Sequence, residues 1–276
     1  MSLADKIFIE NCNEILKHGS WDKGSGVRPR WQDGAPAYTI KKFGVVNRYD
    51  LSKEFPILTL RQTFFKSAVD EILWIWQKKT NDVNKLNSKI WDSWTGADGT
   101  LGKAYGYQLG VKHKYKEGEF DQVDRILFDL KHNPLSRRIL ASMYNFQDLN
   151  EMTLYPCAYS LTLNVENGRL NGILNQRSQD MLVANNWNVC QYAALLHMFA
   201  QASSLKIGEL VHVIADAHIY DRHIPLVERL LSNPLYEAPK LVIDTSIKDY
   251  YKFTVDSFKL EGYKFSILDE KIPVAI

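Results

Sequence analysis

The chain has 276 residues, 45% of them hydrophobic, and a formal net charge of +2. This is enough apolar content for one large core, and the near-balanced charge excludes a general nucleic-acid- or membrane-coating surface. Cys12, Cys157 and Cys190 are odd in number and widely spaced. That excludes a disulfide framework and zinc-ligand spacing. No metal is expected, and no apolar run approaches the length of a membrane span. The first residues carry Asp5 and Lys6 and lack an apolar core of signal-peptide length. With no linker visible, the expectation is one domain over 1–276 in a reducing cytoplasm.

Residues 3–18 set Ile7, Phe8, Ile15 and Leu16 at helical spacing, with Gly19 just past the end, and predict an amphipathic helix. Trp21 to Pro36 is rich in Gly, Pro and charge and reads as a loop, in which Arg28 and Arg30 look locally like solvated charges. Residues 37–49 alternate like a strand, and Phe55-Pro56-Ile57-Leu58 opens the next ordered piece. Residues 64–78 predict a strongly apolar helix through Ala68, Val69, Ile72, Leu73, Ile75 and Trp76. Glu71 lies inside that run. Most such glutamates face solvent, but in apolar surroundings a carboxylate resists ionisation, which suits a proton donor or relay. The aromatics of Ile90-Trp91-Asp92-Ser93-Trp94 and Tyr105-Gly106-Tyr107-Gln108 read as core, or as a flat wall for a ring. Residues 120–132 predict a helix ended by Pro134. Ser136-Arg137-Arg138 opens a predicted strand over 138–145. Adjacent strand side chains point to opposite faces, so simple alternation does not aim Arg137 and Arg138 at one ligand.

Leu161, Leu163 and Val165 precede Asn167-Gly168, and Leu170, Ile173 and Gln176 follow. Asn-Gly between alternating runs predicts a β-hairpin, because both turn positions favour positive φ. The hairpin brings Cys157 and Arg177 to neighbouring points at its open end. A lone cysteine is more often a small buried hydrophobe than a nucleophile, but a guanidinium beside it favours the attacking thiolate. Residues 187–204 predict a long apolar helix with Asn188 at its start, where an N-cap is the simple reading. Gly208 to Ile214 predicts a buried strand running into Asp216-Ala217-His218-Ile219-Tyr220. His218 and Tyr220, two apart, share a face. A helix over 223–231 and strands near 240–244 and 257–265 complete the chain. Phosphate-loop and dinucleotide glycine motifs are absent.

Tyr155-Pro156-Cys157, the hairpin, Gln176-Arg177-Ser178-Gln179-Asp180 and Trp187-Asn188 together resemble thymidylate synthase. The likeness extends through Arg137-Arg138, Asp216 to Tyr220 and Pro273-Val274-Ala275-Ile276. It implies an α/β (α+β) domain with a large mixed β-sheet covered by helices, and a sheet face that forms a homodimer interface. It implies reductive methylation of dUMP to dTMP with 5,10-methylenetetrahydrofolate, giving dihydrofolate. Cys157 would add to uracil C6, with Glu71 and Asn188 stabilising charge at O4 and Tyr105 on the proton path. The Asn188 amide offers one donor and one acceptor, which matches uracil O4 and N3–H and mismatches cytosine. Arg28, with Arg30 as the alternative from the same loop, would hold the phosphate with Arg177 and Ser178, joined by Arg137 and Arg138 from the neighbouring subunit. Gln176, Asp180, His218 and Tyr220 complete the implied nucleotide set, the last two at the 3′-hydroxyl. Trp91, Trp94, Asp180 and the terminal Ala275 and Ile276 would face the folate, the last two as a lid.

Three stretches depart from the family pattern. Asp22-Lys23-Gly24-Ser25-Gly26-Val27-Arg28 replaces Arg-Thr-Gly-Thr-Gly. Ala158 stands where many members have His. Leu182-Val183-Ala184-Asn185-Asn186-Trp187 replaces a Leu-Gly-x-Pro-Phe segment, and the loss of Gly and Pro there is expected to alter folate affinity or loop mobility. The alternatives are a pyrimidine-nucleotide (dCMP or dUMP) hydroxymethylase on the same fold and a nucleotide- or RNA-binding protein without turnover.

Overall fold

A computed structural model describes all 276 residues. In chain order the regular elements are α1 (Leu3–His18), β1 (Ser20–Trp21), β2 (Thr39–Asp50), α2 (Phe65–Ile72), α3 (Gly106–Gly110), β3 (His113–Tyr115), β4 (Gly118–Phe120), α4 (Gln122–His132), β5 (Leu140–Ser142), β6 (Ala158–Glu166), β7 (Arg169–Gln176), β8 (Gln179–Asp180), α5 (Asn185–Ala202), β9 (Lys206–Tyr220), α6 (Ile224–Leu230), β10 (Lys240–Ile243) and β11 (Phe258–Glu261). The main sheet is mixed and runs β1-β2-β9-β7-β6-β5, with β8 added beside β9. β7 and β8 run parallel to β9, whereas β2–β9, β5–β6 and β6–β7 are antiparallel. The pairs β3–β4 and β10–β11 form separate ribbons.

One face of the sheet is covered by α1 and α5, with α2 packed on α5, over a single contiguous core. α5 contributes fully buried Val189, Ala193, Leu195, Leu196, Met198 and Phe199. Gly172 lets this helix approach β7: a Cβ there would lie 2.7 Å from Leu196 Cδ2. The other face carries Val46, Arg48, Leu140 and Ile173 outward, all exposed, with Val211 and Val213 between them. No helix is long and apolar enough to cross a membrane.

Most predicted elements form where expected, with informative differences. α1 spans the predicted residues, and Ser2 caps it by accepting from the Asp5 N–H. The predicted helix over 64–78 is α-helical only to Ile72 and continues as a π-turn over Leu73–Gln77. Trp74 and Trp76 are both buried in this turn, as are Leu73 and Ile75, so the segment is enclosed by core around its whole circumference. The strand expected over 138–145 shrinks to Leu140–Ser142, so Arg137 and Arg138 sit in a preceding turn and strand alternation does not govern them. α5 begins at Asn185, with Ala184 at its cap position. Asn188 donates its backbone N–H to the Ala184 carbonyl one turn inside the helix, so it is not an N-cap.

Candidate active site

The hairpin forms with Asn167 at φ 50° and Gly168 at φ 71°. Its open end pairs Ala158 with Gln176, and the Arg177 N–H donates to the Cys157 carbonyl at 3.0 Å. Arg177 then wraps around the residues before β6. Its Nε donates to the Pro156 carbonyl at 3.1 Å, and its Nη2 donates to the Tyr155 carbonyl at 2.7 Å and lies 3.6 Å from Cys157 Sγ. The Cys157 N–H donates to the Tyr105 hydroxyl oxygen at 3.1 Å. Tyr105 is held at φ 48°, a left-handed conformation that non-glycine residues adopt at a cost and that clusters at functional sites.

The thiol itself departs from expectation. Burial pushes its pKa up, and the pull of Arg177, Arg28 and Tyr105 toward thiolate does not outweigh that, so the group sits above its ordinary value. Cys157 is therefore a thiol at neutral pH, half-buried and beside a guanidinium. Arg28 acts electrostatically on both Cys157 and Tyr220, which puts its charge at this cluster. Arg30 instead folds onto its own loop, with Nη1 donating to the Val27 carbonyl at 2.8 Å.

β8 pairs Asp180 with His218 on β9, one strand over from Lys41. His218 Nδ1 lies 2.8 Å from Asp216 Oδ1, and its ring meets Tyr220 edge-on at 5.2 Å. Asp180 Oδ1 accepts from the Leu182 and Val183 N–H groups at 2.8 and 3.0 Å. Burial works against its ionisation, but His223, His218 and the Val183 N–H outweigh burial and hold the carboxyl below its usual range. Ser178 is half-buried between Arg177 and β8.

Gln176 is buried and oriented rather than open. Burial holds His212 neutral, with a pKa of about 3. His212 Nε2 bonds to Gln176 Oε1, Gln176 Nε2 donates to Asn188 Oδ1 at 3.3 Å, and Asn188 Nδ2 donates to Gln191 Oε1 at 3.0 Å. This directed chain fixes which way the Asn188 amide faces and leaves it one N–H and one lone pair for a ligand. Glu71 is buried, and desolvation pushes its pKa up to about 7 despite two indole donors. Trp91 Nε1 donates to its Oε1 at 3.0 Å and Trp187 Nε1 to its Oε2 at 2.6 Å. The Trp91 ring packs edge-on against Trp94 at 5.9 Å and Tyr105 at 5.1 Å.

The terminal segment joins the site from the other side. Ile276 and Arg30 exchange backbone hydrogen bonds at 2.9 and 2.7 Å. His223 Nε2–H donates to the Pro273 carbonyl at 2.7 Å, while its Nδ1 lies 3.7 Å from Asp180. Ala275 is half-buried and Ile276 exposed. Arg137 and Arg138 are exposed, and their guanidinium groups have no hydrogen-bond or acidic partner within the chain. No group of three His, Cys, Asp or Glu side chains is placed to hold a metal ion.

Trp187, named from the sequence only as part of a motif, joins this arrangement through Glu71, and Gln191, His212 and His223 join it without having been singled out. Gln191 carried a signal, since it lies three positions after Asn188 and so shares a helix face. His212 and His223 carried none, because their partners come from other elements. The altered segment before α5 is pinned rather than loosened. Asn186 Oδ1 accepts from the Leu58 N–H at 2.9 Å and the Thr63 hydroxyl at 2.8 Å, and its Nδ2 donates to the Pro56 carbonyl at 3.0 Å.

The family model described as thymidylate synthase matches residues 6–276. The chain is 43% identical over 269 residues to a thymidylate synthase of Bacillus subtilis subsp. natto, covering 96% of each, and 44% identical over 269 residues to one of Bacillus licheniformis, again covering 96% of each. It is similar to the solved thermostable thymidylate synthase A from Bacillus subtilis at 40% identity, with a TM-score of 0.94 over 99% of both chains. With the family pattern matched from Lys6 to Ile276 and the same fold in a solved relative, this chain belongs to the thymidylate synthase family.

Proposed function

We propose that this site methylates dUMP to dTMP through a covalent bond from Cys157 to uracil C6. The observation that carries the reading is the Arg177 guanidinium 3.6 Å from a half-buried Cys157 sulfur, at a strand end where Tyr105, Tyr220 and Arg28 also converge. As the S–C6 bond forms, the thiol proton passes to solvent water and the C5–C6 π electrons move toward C5 and O4. Arg177 and Arg28 offset the negative charge that develops on the sulfur as its proton is lost. Asn188 receives O4 and N3–H with its remaining donor and lone pair, which favours uracil over cytosine and so a synthase over a cytidylate hydroxymethylase. Glu71, near neutrality in its proton affinity, suits proton exchange at O4 through water. C5 then bonds the folate methylene, the C5 proton leaves to water beside Tyr105 as the folate nitrogen departs, and hydride addition to the exocyclic methylene expels the sulfur, which regains a proton from water.

The folate supplies one carbon and a hydride and leaves as dihydrofolate. The edge-packed Trp91, Trp94 and Tyr105 rings beside Glu71 suit a flat pterin, and we assign Asp180, Ala275 and Ile276 to the folate with them. Arg28, Arg177 and Ser178 supply phosphate donors, with His218 and Tyr220 for the sugar. Each charge-assisted bond contributes roughly 1.5–3 kcal/mol. Arg137 and Arg138, unpaired and exposed, together with the uncovered apolar sheet face, support a homodimer in which they complete the neighbouring phosphate site. A cytoplasmic setting fits three free cysteines.

The deciding experiment is incubation with 5-fluoro-dUMP and 5,10-methylenetetrahydrofolate. A stable adduct mapped by mass spectrometry to Cys157, and absent in Cys157→Ala, is expected. An adduct elsewhere, or none with nucleotide bound, overturns the covalent reading.

A further inference from the structure

We propose that Trp187 is a positioning residue for Glu71: its indole N–H and that of Trp91 grip the two carboxylate oxygens separately and fix the plane in which Glu71 faces the pyrimidine. This rests on the proposed methylation site and adds a residue to it. The terminal torsion of a glutamate is broad and roughly two-fold. One donor would leave that torsion loose, whereas two donors on different oxygens fix it. Here the donors come from different elements. Trp187 lies in the first turn of α5, 2.6 Å from Oε2, and Trp91 lies in the turn before a 3₁₀ segment, 3.0 Å from Oε1.

Trp187 also immediately precedes Asn188, so one helical turn delivers both the carboxylate clamp and the amide proposed to read the ring. Asn186 anchors that turn to residues 56–63. A tryptophan stands here where the resembled segment ends in Phe, which has no N–H to give. Two further features support the assignment. The ionisable neighbours of Glu71 do not stabilise its charge: Asp70 on its own helix repels it, Tyr105 and Tyr192 face it as neutral phenols, and no cation forms an ion pair with it. Gln191, one turn along α5, accepts from Asn188 through Oε1, and its Nε2 makes no hydrogen bond to Glu71. The indoles are thus the main counterweight to burial.

The test is Trp187→Phe, read in two ways. In the nucleotide-free protein, the Glu71 carboxyl band followed by infrared difference titration, assigned by its loss in Glu71→Gln, should move up by about one pH unit. The limb of the kcat/KM–pH profile that belongs to Glu71 should move with it, with little change in KM for dUMP. In a Glu71→Gln background the Trp187→Phe change should cost no further activity. An unmoved titration, or equal losses in both backgrounds, overturns the proposal. If Trp187→Phe does not fold, the benzothienyl analogue of tryptophan incorporated at position 187 keeps the bicyclic shape, lacks the N–H and gives the same two readings. The infrared titration needs neither nucleotide nor folate, so failure of the methylation reading leaves it interpretable.

Discussion

At Cys157 two effects of opposite sign meet. The neighbouring guanidiniums favour thiolate, burial favours thiol, and burial is the larger. Under the proposed mechanism, deprotonation of this thiol belongs to the attack on C6. The same desolvation acts on Glu71 and has a consequence for stability. Its folded pKa of about 7 exceeds the ordinary carboxyl value of 4.5. Between those values the folded protein binds the proton and the unfolded chain does not, so stability is lost as pH rises through this window. The cost approaches about 3 kcal/mol above pH 7, at 1.36 kcal/mol per unit. Glu71→Gln, which cannot titrate, should therefore gain stability relative to the parent by about that amount between pH 4.5 and 8. Urea denaturation at the two pH values measures the difference, and a pH-independent difference would mean Glu71 is not shifted.

Among elements, the entry to α5 differs most from what local sequence suggests. The stretch Ala184-Asn185-Asn186 lacks the Gly and Pro of the resembled pattern and contains polar residues that ordinarily mark loops. Asn186 is nevertheless buried, and its amide satisfies two donors and one carbonyl of the segment 56–63. Asn186→Ala would leave those groups unpaired in the interior, at a cost of about 2–4 kcal/mol. The expected result is a lower urea midpoint with unchanged slope, and a change under 1 kcal/mol would contradict the account. The terminal segment is also an element in the functional sense. The Ile276–Arg30 backbone exchange and the His223–Pro273 bond tie it to the arginine loop and, through His223, to Asp180. A polypeptide fused after Ile276 should therefore lower kcat well beyond its effect on dUMP binding measured by calorimetry. Equal loss of both, or of neither, would count against closure by this segment.

For the whole molecule, the uncovered sheet face and the two unpaired arginines belong together. An exposed apolar strand face invites a partner, and Arg137 and Arg138 lie in the turn that leads into β5, the edge strand of that sheet. If two chains share their sites, inactive Cys157→Ala protein mixed with inactive Arg137→Ala/Arg138→Ala protein should recover activity after subunit exchange, read as the rise in absorbance from dihydrofolate. No recovery with exchange demonstrated by native mass spectrometry would confine the site to one chain.

The sequence by itself determined α1, the Asn167-Gly168 hairpin and the meeting of Cys157 with Arg177. Each follows from local rules: helical spacing with a cap, a turn that demands positive φ, and strand pairing that folds twenty residues back on themselves. Periodicity also marked the buried helix α5 and the pair His218 and Tyr220. Tertiary structure alone decided the π-turn that buries two tryptophans, the amide chain from His212 to Gln191, the two indoles on Glu71 and the net proton affinity of Cys157. In each case the partners come from elements far apart in the chain. The sign of the outcome depends on how much water packing removes, and neither is encoded in spacing.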